Sequence, residues 1–84
     1  MRGGRTAIGI TAYLFLECTS GRLKEVLAKL KQVPGVREAH IVTGNYDIIA
    51  LVDATDLAAL SEAILSRIQA IPGVHKTTTN VAVE

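Results

Sequence analysis

The segment Leu30 to Val36, LKQVPGV, is echoed as Ile68 to Val74, IQAIPGV, with Pro-Gly-Val kept and aliphatic residues exchanged at the first and fourth positions. Each copy closes a stretch with helical spacing of apolar residues. Proline disfavours helical geometry in the residue before it, glycine accepts a positive φ, and the valine restarts an extended chain. The repeat therefore divides the chain into two similar halves, each a helix followed by a strand.

In the first half the apolar run Ala12 to Cys18 reads as a strand, and Thr19 or Ser20 can cap the next element. The spacing predicts a helix over Arg22 to Val33, with Leu23, Val26, Leu27 and Leu30 on one face and Lys24, Glu25, Lys29 and Lys31 on the other. Glu38 to Thr43 forms a second strand, Ala39 and Ile41 facing one way and His40 and Val42 the other. Gly44-Asn45 is a turn dipeptide that would join it to a third strand, Tyr46 to Ala54, as a hairpin. Thr55 or Asp56 can cap a second helix reaching Ile71, on the spacing of Leu57, Leu60, Ile64, Ile68 and Ile71. A fourth strand runs from Lys76 to Val83.

Strand, helix, strand, strand, helix, strand is the split βαβ order of an α+β, ferredoxin-like βαββαβ sandwich. Right-handed crossovers place strands one and three in the middle of an antiparallel sheet, in the order 4-1-3-2. The pattern agrees, because Ala12 to Leu16 and Ile48 to Val52 are continuously apolar whereas the other two strands are more polar. Both helices cover one face of such a sheet. Strands apolar on both faces do not leave the second face in water, so a sheet-to-sheet dimer is expected.

A chain of 84 residues supports one small core. Its only aromatic residues are Tyr13, Phe15 and Tyr46, and its formal net charge is +1. Nucleic-acid binding normally needs concentrated positive charge and stacking platforms, so neither DNA nor RNA is expected as a direct partner. Cys18 stands alone, with no disulfide partner and no zinc-ligand spacing around it, which fits a reducing, cytoplasmic setting. Arg2 and Arg5 ahead of the run Ala7 to Cys18 imitate a secretory signal, but no small-x-small cleavage site comes after the run and removal would delete the first strand. The run is also shorter than the roughly 20 apolar residues of a membrane span.

Catalytic groupings are scarce, so no enzyme, metal or cofactor is expected. His40 and His75 come after the two Pro-Gly-Val segments without an acidic partner at a defining distance, and two histidines supply too few ligands for a metal. Cys18 reads as packing rather than as a nucleophile. The segment Gly44, Asn45, Tyr46, Asp47 differs. It sets a carboxylate and a phenol at the mouth of a turn, where Asp47 can meet an ammonium group, backbone N–H groups a carboxylate, and Tyr46 a side chain. The same residues also have a structural reading, in which Gly44 and Asn45 make the turn, Tyr46 packs and Asp47 caps the loop. Thr77 and Thr79 point the same way on the last strand and offer two hydroxyls to one ligand or neighbour.

These residues resemble the effector-binding, or RAM, domain of the Lrp/AsnC transcriptional regulators. The likeness runs from Ala12 to Glu84 through the opening strand, Pro34-Gly35-Val36, the Gly44 to Asp47 step, and Gly73-Val74 with Thr77 and Thr79 beyond it. It implies face-to-face dimers that assemble into octamers or decamers, with amino-acid effectors bound where dimers meet. By the same resemblance Gly44, Asn45, Tyr46 and Asp47 fall in the effector loop, and Thr77 and Thr79 on the strand beside it. Family regulators carry a helix-turn-helix domain, whereas only residues 1–11 precede the first expected strand here. The resemblance therefore implies the stand-alone subgroup: an N-terminal extension over 1–11, then one effector-binding and oligomerisation domain over 12–84, acting by assembly or by contact with a full-length regulator.

Three other readings share the element order. A purely structural assembly module would bind nothing small. An ACT-like amino-acid sensor also binds at subunit interfaces, though the Gly44 to Asp47 hairpin favours the RAM type. A small dimeric ferredoxin-like barrel enzyme would need a polar cavity with a catalyst, where this sequence supplies aliphatic side chains.

Overall fold

The computed structural model describes residues 9–83. Arg2, Arg5 and most of the expected N-terminal extension lie outside the described residues, as does Glu84. The elements are β1 (Ile10–Cys18), α1 (Leu23–Leu30), β2 (Val36–Ile41), β3 (Ile48–Ala54), a second helix and β4 (Val74–Val81). The second helix, α2, consists of three contiguous segments: α-helical Leu57–Ala59, π-helical Leu60–Leu65 and α-helical Ser66–Gln69. All strand pairs are antiparallel, in the order β2-β3-β1-β4. This is the expected order read from the other edge.

Period-two alternation sorts the central strands into two faces. Ala12, Leu14 and Leu16 of β1 and Ile48, Ala50 and Val52 of β3 are buried under the helices, where they meet Val26, Leu30, Leu60, Ile64 and Ile68. Each such large side chain contributes roughly 1.5–3 kcal/mol on leaving water. The alternate residues Tyr13, Phe15, Ile49 and Leu51 line the other face, and Tyr13 is 47% exposed. The sheet thus has one covered face and one open apolar face.

Boundaries shift where local hydrogen bonding overrides spacing. Regular α1 stops at Leu30 rather than Val33, because Gln32 and Val33 donate back three residues, to Lys29 and Leu30, and tighten the chain ahead of Pro34. The expected cap by Thr19 or Ser20 does not form. Arg22 occupies that position without a side-chain cap, and its Nε meets Glu25 Oε1 at 2.9 Å. Each group holds the other charged: the hydrogen bond and charge of Arg22 lower the Glu25 pKa, and those of Glu25 raise that of Arg22. Asp56 does cap α2, its Oδ1 accepting the Ala59 N–H at 2.8 Å.

The two copies of the repeat end alike. Gly35 has φ +101° and Gly73 φ +102°, so both turns use the left-handed backbone that only glycine adopts freely. The strands restart at once, at Val36 and Val74, two residues before the expected starts of β2 and β4. β1 likewise begins at Ile10, inside the expected extension.

Candidate functional site

The connection between β2 and β3 is longer than a two-residue hairpin turn. β3 begins at Ile48 rather than Tyr46, and the closing bond runs from Val42 N–H to the Asp47 carbonyl at 2.9 Å. Gly44, with φ +116°, and Asn45 form the exposed tip. The physical reason lies outside the hairpin. Asp47 turns toward β1, donating its N–H to the Leu16 carbonyl at 2.9 Å and accepting the Cys18 N–H on Oδ2 at 2.8 Å. A residue bonded to both neighbours of β3 cannot continue the ladder.

Tyr46 folds onto the open face, its ring centroid 4.9 Å from that of Phe15 at a tilt of 42°. That spacing suits a favourable aromatic pair. Asp47 and Tyr46 therefore latch the loop to the end of β1. On the β4 side of the same end of β1 the structure shows contacts that the sequence did not reveal: Thr19 Oγ1 lies 2.6 Å from His75 Nε2, and Thr19 N–H bonds the Gly73 carbonyl at 2.7 Å. Burial first, and the Asp47 carboxylate second, push the Cys18 thiol pKa up.

Thr77 and Thr79 do point the same way, as expected, but under the helices. They stand opposite Leu16 and Leu14 in the β1–β4 register, and Thr77 Oγ1 is buried without a hydrogen-bond partner among the described residues. Leaving a hydroxyl so costs roughly 1–3 kcal/mol. Asp47 contacts Leu16 from the β3 flank, whereas Thr77 contacts it from the β4 flank. Two strand spacings, about 10 Å, separate them. The structure brings Gly44, Asn45, Tyr46 and Asp47 together and keeps Thr77 and Thr79 apart from them.

Among the described residues no group of three or more His, Cys, Asp and Glu is arranged to hold a metal ion, and no helix is long and apolar enough to cross a membrane. A cavity of about 310 Å³ lies elsewhere, along the outer edge of β2, lined by Lys31, Val36, Arg37, Glu38, Ala39 and His40.

A family model described as the Lrp/AsnC ligand binding domain matches residues 11–84. An uncharacterised HTH-type transcriptional regulator of Pyrococcus furiosus is 33% identical over 78 residues, which cover 89% of this chain and 52% of that protein. A homocitrate synthase of Sulfurisphaera tokodaii is 33% identical over 76 residues, 89% of this chain but 16% of that one. The crystal structure of a Thermus thermophilus protein superposes with a TM-score of 0.84 at 31% identity, covering 89% of this chain and 94% of that one. The chain spans about half the length of the regulators it matches.

Proposed function

The chain belongs to the Lrp/AsnC ligand-binding domain family, and from that premise we propose that it is an amino-acid-responsive oligomerisation module, without catalytic activity, working in the cytoplasm. Residues 12–84 act as one domain that dimerises through the open sheet face and then assembles further. Assembly, or contact with a full-length regulator, is the output.

The open face carries this reading. Leu51 with Tyr13, and Ile49 with Phe15, form two adjacent apolar rows, and Glu38 and His40 frame them on the β2 side. Contiguous apolar surface of this kind marks an interface, and a second copy presents the same surface. The separation of Asp47 from Thr77 adds to it. A ligand that uses the loop and a second polar wall needs a neighbouring subunit to supply that wall, which couples binding to assembly.

A second reading rests on a specific observation. The Asp47 carboxylate already accepts the Cys18 N–H, and Tyr46 already packs on Phe15, so these two groups also serve a module that assembles and binds nothing small. Calorimetric titration with each of the twenty amino acids, on the native chain and on Asp47→Asn, separates the two. The asparagine keeps an acceptor for Cys18 while removing the charge that an ammonium group would meet. Binding lost in Asp47→Asn, with the assembly retained, supports the sensor; no binding of any amino acid by an intact native oligomer leaves the structural module.

A further inference from the structure

Among the described residues β2 bonds only to β3, and none of them pairs with its outer edge. The bond from Val42 N–H to Asp47 fixes the phase of the strand. Because backbone groups alternate sides, those of His40 face β3 and those of Ala39 and Ile41 face outward. Charged side chains usually blunt such an edge. Here Glu38 and His40 stand on either side of Ala39 on the open face, Oε1 and Nε2 3.0 Å apart, both more than half exposed. Ile41, at the end of the strand, is 40% exposed.

We infer that this edge is a docking surface for β2 of a second copy, paired antiparallel about Ala39. In that register the two Ala39 residues exchange N–H and C=O bonds. Glu38 stands directly opposite the partner's His40, and His40 opposite the partner's Glu38. Ile41 falls opposite the partner's Arg37, whose aliphatic stem covers it. The alternatives in phase with the outward groups are worse. A two-fold at Glu38 opposes two carboxylates, and one at His40 opposes two imidazoles and forgoes the Glu38–His40 pairs. Pairing each carboxylate with an imidazole therefore favours Ala39 over these two registers.

The product is a continuous eight-stranded sheet with all helices on one side. The second edge roofs the cavity of about 310 Å³ beside β2. This interface meets the open face only at its Glu38 and His40 rim and leaves the Tyr13, Phe15, Ile49 and Leu51 rows free, so a molecule using both forms assemblies larger than a dimer.

Backbone amide exchange of the whole chain, monitored with sedimentation across a concentration series, tests this. Where the mass rises, the Ala39 and Ile41 amides slow by about tenfold or more, because only edge pairing gives them partners. Glu38→Lys removes that protection and lowers the mass, and adding His40→Glu to it restores both. Phe15→Lys, aimed at the open face, breaks face packing but leaves Ala39 protected. An Ala39 amide that stays fast while the mass rises, or a mass that never rises, overturns the inference.

Discussion

At the scale of single residues, Asp47 decides more than its place in a turn suggests. It closes the loop, ends the β2–β3 ladder and holds the last N–H of β1, a partner 29 positions away in sequence. Nothing local announces such a contact, which is why the loop residues were legible as a group but the loop itself reads as a simple hairpin turn. Its charge has a second effect, on Cys18, and this yields a measurable consequence. With the thiol pKa raised, the folded state binds that proton more tightly than the unfolded chain. The resulting stability is present at neutral pH and is lost as pH rises through the raised value. Alkylation of Cys18 by iodoacetamide, measured against pH, has its midpoint above the ordinary thiol range. Asp47→Asn moves it down only part of the way, because burial is the larger cause. A midpoint unchanged in the variant would show that the carboxylate does not act on the thiol.

Among the elements, the repeated turns were the most legible and α2 the least. Proline after an apolar helix end, then glycine, leaves few backbone options, and both copies take the same one. Gly35 shows how much depends on it. A Cβ there would come within 2.6 Å of Ile64 Cδ1 and 3.0 Å of the Asp53 carbonyl, with φ at +101°. Gly35→Ala is expected to lose roughly 1–3 kcal/mol in urea denaturation, from backbone strain together with that contact. Gly44, at positive φ but with nothing nearby, loses less on the same substitution. The π-helical Leu60–Leu65 segment left no mark in the spacing, since Leu60, Ile64 and Ile68 keep intervals that an ordinary α-helix also uses. Leu60 and Ile64 are buried within it all the same.

In the whole molecule the same limit on local patterns holds at larger scale. Right-handed crossovers gave the sheet order, and continuous apolar runs in β1 and β3 agreed with it and gave the existence of two apolar faces. They gave no sign that Thr77 and Thr79 face the helices, because the register of β4 against β1 is set by pairing across most of the chain. The open face can be tested as one object. Phe15→Lys or Ile49→Lys puts a charge at its centre without entering the covered core, so the proposed dimer is expected to weaken by at least about tenfold in sedimentation while the circular dichroism spectrum is kept. A dimer as tight as before would move the interface elsewhere. One further bond concerns how such a unit travels between proteins. Ala82 N–H donates to the Thr11 carbonyl at 2.8 Å, so the outer ends of β4 and β1 lie side by side. A host polypeptide can therefore receive the entire βαββαβ unit at one point, its own backbone parted by roughly one strand spacing, about 5 Å. A sheet with entry and exit at one corner is as easily about half of a regulator as a small fraction of a synthase.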